Sequence, residues 1–261
     1  MLVLGAPIFA YHVEGTGAVV ADGTTLFQLT DDPRQAAWTP VGASVLTTLR
    51  AGLRDLLALT SVERLPGRTA PRAPRVDVPD AISDAYLYQT LTDVSPDDVV
   101  LMEEAPGSRR AQWEHWRNTR PGSFFNATSG GLGYSLPAAI GMALARPDTR
   151  VLAVIGDGSS MYSIQALWSA VQTGVTNLTV VIVNNGSYAT IQQFADLLHT
   201  KPVGSDLSGI DYVGLASAMG VRAIRVSRGS ELQAVLRDAV TADAPRLIEV
   251  VVTNEKLRLF S

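Results

Sequence analysis

The chain contains no cysteine. That excludes disulfides and thiolate chemistry, and a cytoplasmic, reducing setting is the expectation. Charge is sparse too: 18% of residues are charged, for a formal net charge of -4. No Lys/Arg block stands outside one linker, so nothing supports nucleic-acid binding. No stretch approaches the roughly 18 apolar residues that a spanning helix needs, so no membrane partner is expected. The apolar start, "MLVLGAPIFAYH", lacks a basic leader and a small-residue cleavage site, and reads as a buried strand. Hydrophobic residues make up 46% of 261 positions. That leaves little room for disorder and enough chain for one large or two modest domains.

What is present is organised as strands and helices in alternation. Val151 to Ile155 is an unbroken apolar run, and Leu178 to Val183 is interrupted only by Thr179. Short continuous runs closed by Gly or Asn read as strands buried on both faces. Between them Ile164, Leu167, Trp168 and Val171 recur at helical spacing, which predicts a crossover helix with Trp168 in the core. "DDVVLMEE" and "PRLIEVVV" are two further strands. The fold class is therefore α/β, a doubly wound, mostly parallel sheet over residues 82–252. Residues 1–60 read as part of another α/β domain, with "TTLFQLT" a strand and "GASVLTTLRAGLRDLLAL" an amphipathic helix. Residues 61–81, rich in Pro and Arg, are a linker, and 253–261 a tail.

Asp157 and Asn185 fall just past the carboxyl ends of adjacent predicted strands, where open parallel sheets bind ligands. A hard divalent cation takes oxygen ligands: one or two carboxylates, carbonyls, waters and substrate phosphate. Asp157 supplies the anion, Asn185 a neutral amide oxygen, and Ser187 a backbone carbonyl. The glycines flanking Asp157 let a phosphate approach the backbone. Gly-Asp-Gly alone is a common turn, and Asn-Asn-Gly alone suggests a hairpin. Here "SYATIQQFADLL" continues with helical rather than alternating spacing, so the paired motifs favour a metal–diphosphate clamp.

Gly156-Asp157-Gly158 followed after 25 residues by Asn184-Asn185 resembles the signature of thiamine-diphosphate-dependent enzymes. The stretch from "FFNATSGGLGYS" through "IGDGSSMYSIQALWSAVQ" is similar to the diphosphate domain of the 2-oxoacid decarboxylases, in the benzoylformate decarboxylase branch. "GAPIFAYHVEGTG" resembles the middle domain of that branch. The resemblance implies thiamine diphosphate with magnesium, or calcium in its place, held through Asp157, Asn185 and the Ser187 carbonyl. Gly107, Ser108, Gly158, Ser159 and Tyr188 would meet the diphosphate, and Gly130 would accept a hydrogen bond from the aminopyrimidine. Leu132, on spacing alone an ordinary core leucine, would prop the cofactor into its bent form. His12, otherwise a loop histidine, would transfer protons, and Ile191 and Phe194 would shape the substrate pocket. His115, on a solvated helix face, and His199, in a polar loop, carry no such role.

The activity implied is non-oxidative decarboxylation of an aromatic 2-oxoacid such as benzoylformate. An acetolactate synthase-like carboligase and a non-catalytic cofactor-binding fragment are the alternatives. In the family, an activating glutamate sits on a pyrimidine-binding domain, which this sequence does not contain. The chain is therefore expected to be the C-terminal half of a longer protein. The family's site lies between subunits, so the parent is expected to be a homodimer or homotetramer, with the pyrimidine domain from the missing sequence or another chain.

Overall fold

The computed structural model describes residues 1–8, 18, 20–39, 41–59, 73–117, 120–127 and 130–254. The chain divides into two units at Ala70 and Pro71.

The first unit is built on a parallel sheet of β1 (Leu2–Leu4), β2 (Phe27–Thr30) and β3 (Ala43–Leu46) in that order. Helix α1 (Pro33–Trp38) starts where the Asp32 side chain accepts from the Arg34 N–H, and α2 (Leu49–Leu59) is the unit's last element among the described residues. Buried Gln28 ties the sheet together, accepting from Thr39 and Ser44 hydroxyls and donating to the Ala6 carbonyl. Two expectations need correction. The N-terminal strand is not buried: Leu2 and Leu4 are 46% and 40% exposed. The span from Gly42 is not one helix either. Ala43 to Leu46 pairs with β2, and the helix begins only after Thr47-Thr48, where the Thr48 hydroxyl accepts from the Ala51 N–H. A threonine at a helix entrance is the local signal that separates the two elements.

The second unit is a six-stranded, wholly parallel sheet. Its strands are β4 (Val100–Glu104), β5 (Phe124–Asn126), β6 (Val151–Gly156), β7 (Leu178–Asn184), β8 (Arg222–Val226) and β9 (Arg246–Val251), in the order β5-β4-β6-β7-β9-β8. The two unanticipated strands are three-residue β5 and edge strand β8, whose "RAIRV" has no continuous apolar run. Side chains alternate across the sheet, so each strand feeds two cores. Leu101, Leu152, Val154 and Val181 face α3 (Asp84–Val94), α4 (Arg109–His115) and α10 (Gly229–Thr241). Val100, Met102, Ala153 and Val180 face α5 (Ser135–Ala145), α7 (Ala166–Gln172) and α9 (Tyr212–Ala218). The sheet is doubly wound. Within the stretch read as a linker, the backbone of Val76 is held at both N–H and C=O by the Gln89 side chain on α3.

The connection β4 to β5 moves outward one way and β6 to β7 the other. The order therefore reverses between β4 and β6, and a crevice opens outside their carboxyl ends. Glu104 closes β4 and Gly156 closes β6.

Candidate cofactor-binding site

Four loops meet at that crevice, and close approaches to glycine show it. A Cβ at Gly156 would lie 3.8 Å from the Ala105 Cα and the Glu104 carbonyl. One at Gly107, in the 3-10 turn Pro106–Ser108, would lie 3.9 Å from Ala189 and 4.0 Å from the Asn185 amide nitrogen. One at Gly133 would lie 2.9 Å from the Tyr162 Cβ. At Gly158 a Cβ would fall inside the Tyr188 ring, and at Gly130 it would meet nothing within 4 Å. Gly107, Gly158, Asn185, Ser187 and Tyr188 are thus brought to one place. Ser108 and Ser159 are buried beside them.

Asp157 organises the centre. It starts the turn Asp157–Ser160 directly after β6, and only 4% of its surface is exposed. Its Oδ1 accepts from the Gly158 N–H at 2.7 Å, and its Oδ2 from those of Gly186 at 2.8 Å and Asn185 at 3.1 Å. Burial nevertheless pushes its carboxyl above the ordinary range, outweighing the pull of those backbone donors. A buried carboxylate whose charge is under-compensated is suited to a cation. The carboxylate has about four lone-pair sites, so capacity remains beyond the three N–H groups.

The Asn185 Oδ1 accepts from the N–H and hydroxyl of Ser187 at 3.0 and 3.2 Å. To ligate a cation it would have to release the hydroxyl, which can rotate. Among the described residues the Ser187 carbonyl accepts only from the Ala189 N–H, at 2.9 Å, and keeps a lone pair. All three donors are oxygens. Among the described residues there is no group of three or more His, Cys, Asp or Glu able to hold a metal. The set therefore fits a hard ion whose remaining ligands are phosphate and water, and it fits magnesium diphosphate.

Residues 107–250 match the family described as thiamine pyrophosphate enzyme, C-terminal TPP binding domain. The chain belongs to that family. It is 35% identical over 254 residues to benzoylformate decarboxylase of Pseudomonas aeruginosa, covering 96% of this chain and 48% of that protein. Among solved structures, benzoylformate decarboxylase from Polynucleobacter necessarius superposes with a TM-score of 0.89 at 31% identity, covering 99% of this chain and 50% of the other. The thiamine diphosphate-dependent 4-hydroxybenzoylformate decarboxylase of Rhodococcus jostii gives 0.87 at 34%, covering 98% and 49%. The chain spans about half the length of the relatives it matches.

Within this TPP-binding domain the other site residues are placed as follows. Leu132 is half-buried between Gly130 and Gly133, both at positive φ. Ile191 and Phe194 lie one turn apart on α8 (Ala189–Leu197), Ile191 exposed and Phe194 half-buried, and the helix packs on the 106–108 turn. His12 lies outside the described residues. Trp168 is not in the core as expected: it is 58% exposed on α7. The helix turns its Leu167 and Ala170 inward instead. His115 is half-buried rather than fully solvated.

Sequence reasoning missed three residues that set the loops. Glu104 accepts from the Gly133 and Ser135 N–H groups, both at 2.6 Å, one through each oxygen, and so holds the loop bearing Gly130 and Leu132. Asn184 accepts from the Gly186 N–H at 2.9 Å and closes the Asn185 turn. Asn254, read as tail, donates to the Ser187 hydroxyl at 3.3 Å. Glu104 had a visible sign: alternation on β4 sends Glu103 and Glu104 into opposite cores, where a carboxylate needs a specific partner.

Proposed function

We propose that this chain is the diphosphate- and metal-holding part of a thiamine-diphosphate-dependent decarboxylase acting on an aromatic 2-oxoacid such as benzoylformate. One observation carries the reading. The Asp157 carboxylate, buried at the switch point, grips the Asn185–Gly186 turn of the neighbouring strand and so aligns the two motifs of a diphosphate clamp. In it, Asp157, the Asn185 side chain and the Ser187 carbonyl hold magnesium. Gly107, Ser108, Gly158, Ser159 and Tyr188 surround the diphosphate. The loop anchored by Glu104 carries Gly130 and Leu132, which would meet the ring end of the cofactor and orient it. Bound thiamine diphosphate supplies the electron sink for the carbon left when carbon dioxide departs. Ile191 and Phe194 on α8 would form an apolar side of the substrate pocket, suited to an aromatic group, and His12 would move protons. The benzoylformate and 4-hydroxybenzoylformate decarboxylases among the similar proteins support the aromatic substrate.

Self-association belongs to the same reading. Helix α5 is apolar nearly all round, yet Leu144 stays 49% exposed, and Trp168 and Tyr162 are 58% exposed each. These exposed side chains are the candidates for a face that self-association would cover.

The test is a panel of 2-oxoacids with magnesium and thiamine diphosphate, followed for aldehyde and carbon dioxide, beside calorimetric binding. The full-length protein is expected to turn benzoylformate over to benzaldehyde, while this chain alone binds the cofactor without decarboxylation. Asp157→Ala should lower magnesium-dependent cofactor affinity at least several-fold, since ligand charge governs such sites. Conversion of pyruvate to acetolactate with no turnover of benzoylformate would overturn the reading.

A further inference from the structure

Glu249 sits on β9, flanked in the sheet by β7 and β8, with no solvent exposure. A carboxylate there is costly, and two donors meet it. The Arg225 guanidinium, opposite in register on β8, reaches its Oε1 at 2.7 Å, and the Asn184 Nδ2 donates to the same oxygen at 2.7 Å. The Arg225 side chain is 52% exposed, and such pairs add little stability for the desolvation they demand. An ion pair across two strands is thus a poor reason for the charge. The bond to Asn184 is a better one.

We propose that Glu249 is a positioning residue for the metal–diphosphate end of the site, acting by fixing the orientation of the Asn184 amide. The inference rests on reading that site as a magnesium–diphosphate clamp. A carboxylate only accepts hydrogen bonds, so it admits only the NH2 end of an amide. With Nδ2 turned to Glu249, the Asn184 Oδ1 faces the other way and accepts from the Gly186 N–H at 2.9 Å. The same N–H also donates to the Asp157 Oδ2 at 2.8 Å. The chain of contacts runs Glu249, Asn184, Gly186, Asp157. Gly186 has φ +71, a conformation favoured by glycine. An amide held at both ends keeps the turn in that form. A glutamine at 249 presents either end of its own amide and leaves Asn184 free to flip.

The experiment titrates magnesium into the protein calorimetrically with thiamine diphosphate in excess, then with inorganic pyrophosphate, and follows urea unfolding alongside. Outer-sphere partners of metal sites are worth about 10–100-fold in affinity. Glu249 stands two contacts beyond such a partner, so Glu249→Met is expected to lose roughly 3- to 10-fold and Glu249→Gln about threefold, with both probes. Arg225→Met, which leaves the Asn184 bond in place, should keep magnesium affinity within about twofold while unfolding at lower urea. If Glu249→Met does not fold, Glu249→Gln carries the comparison with Arg225→Met. Unchanged affinity in the Glu249 variants overturns the inference, as does an equal loss in Arg225→Met. No magnesium-dependent binding by the unaltered protein overturns the clamp reading and this one together.

Discussion

Removing the Glu104 side chain should loosen the loop from Gly130 to Ser135 and leave the diphosphate loops in place. Both carboxylate oxygens accept backbone N–H groups at 2.6 Å, and the residue is 4% exposed. Charge-assisted bonds of this length are worth about 1.5–3 kcal/mol each when buried. Ser135 is fully buried, so its N–H has no water to turn to, whereas Gly133 is half-buried and recovers part of its loss. Glu104→Ala should therefore cost about 3 kcal/mol, a fall in Tm of roughly 6–12 °C for a domain of this size. Glu104→Gln keeps one acceptor and turns an NH2 against the other N–H, so about half that cost is expected. Urea and thermal unfolding read the stability term. The functional term is read by two ligands: thiamine diphosphate affinity should fall several-fold, while magnesium pyrophosphate, which meets only the other loops, should bind nearly as before. A Glu104→Ala protein within about 0.5 kcal/mol of the parent would refute the clamp. Equal loss for both ligands would refute its confinement to one loop.

Three further outcomes are expected. Gly158→Ala places a methyl inside the Tyr188 ring and 3.0 Å from the Leu207 Cδ1. It should cost about 1–3 kcal/mol in thermal unfolding, and Gly158→Ala combined with Tyr188→Ala should recover part of that. Burial raises the Glu103 carboxyl above its ordinary range, against partial compensation from the Ala105 N–H and from Arg109 at 3.7 Å. The folded state then holds this proton more tightly than the unfolded one, so stability is greatest below the unfolded value and is lost as pH rises through the raised one. Glu103→Gln, which carries no charge, should gain on the parent in urea unfolding as pH climbs through that window, and parallel curves would refute the assignment. Trp168→Asp on exposed α7 should weaken self-association in sedimentation while leaving circular dichroism unchanged, and an unaltered association constant would remove that face from consideration.

The legible part of this molecule is the part where local chemistry and fold coincide. Strands β4, β6, β7 and β9 are apolar runs because both their faces are covered, and composition alone marks such runs. The Asp157 and Asn185 turns were readable because strand ends in a parallel sheet are where polar residues acquire ligands. What stayed hidden depends on partners distant in sequence. Glu104 reads as one of two adjacent acids, and only the packing of α5 on β4 brings it to Ser135, 31 residues on. Glu249 reads as a break in an apolar strand until β7 and β9 pair and set Asn184 against it, 65 residues away. Edge strand β8, largely exposed, carries two arginines among its five residues and so lacks the run that betrays its neighbours. Trp168 was misjudged for a related reason: its helical spacing with Leu167 and Val171 fits a core stripe, but the stripe is narrower than the spacing allows. Leu167 and Ala170 fill it, and the indole is left on the outer edge. Residues that touch a ligand can be read from local motifs, while those that aim them need the sheet order. In this chain two of the buried acids that hold the loops, Glu104 and Glu249, lie on strands rather than in the loops themselves.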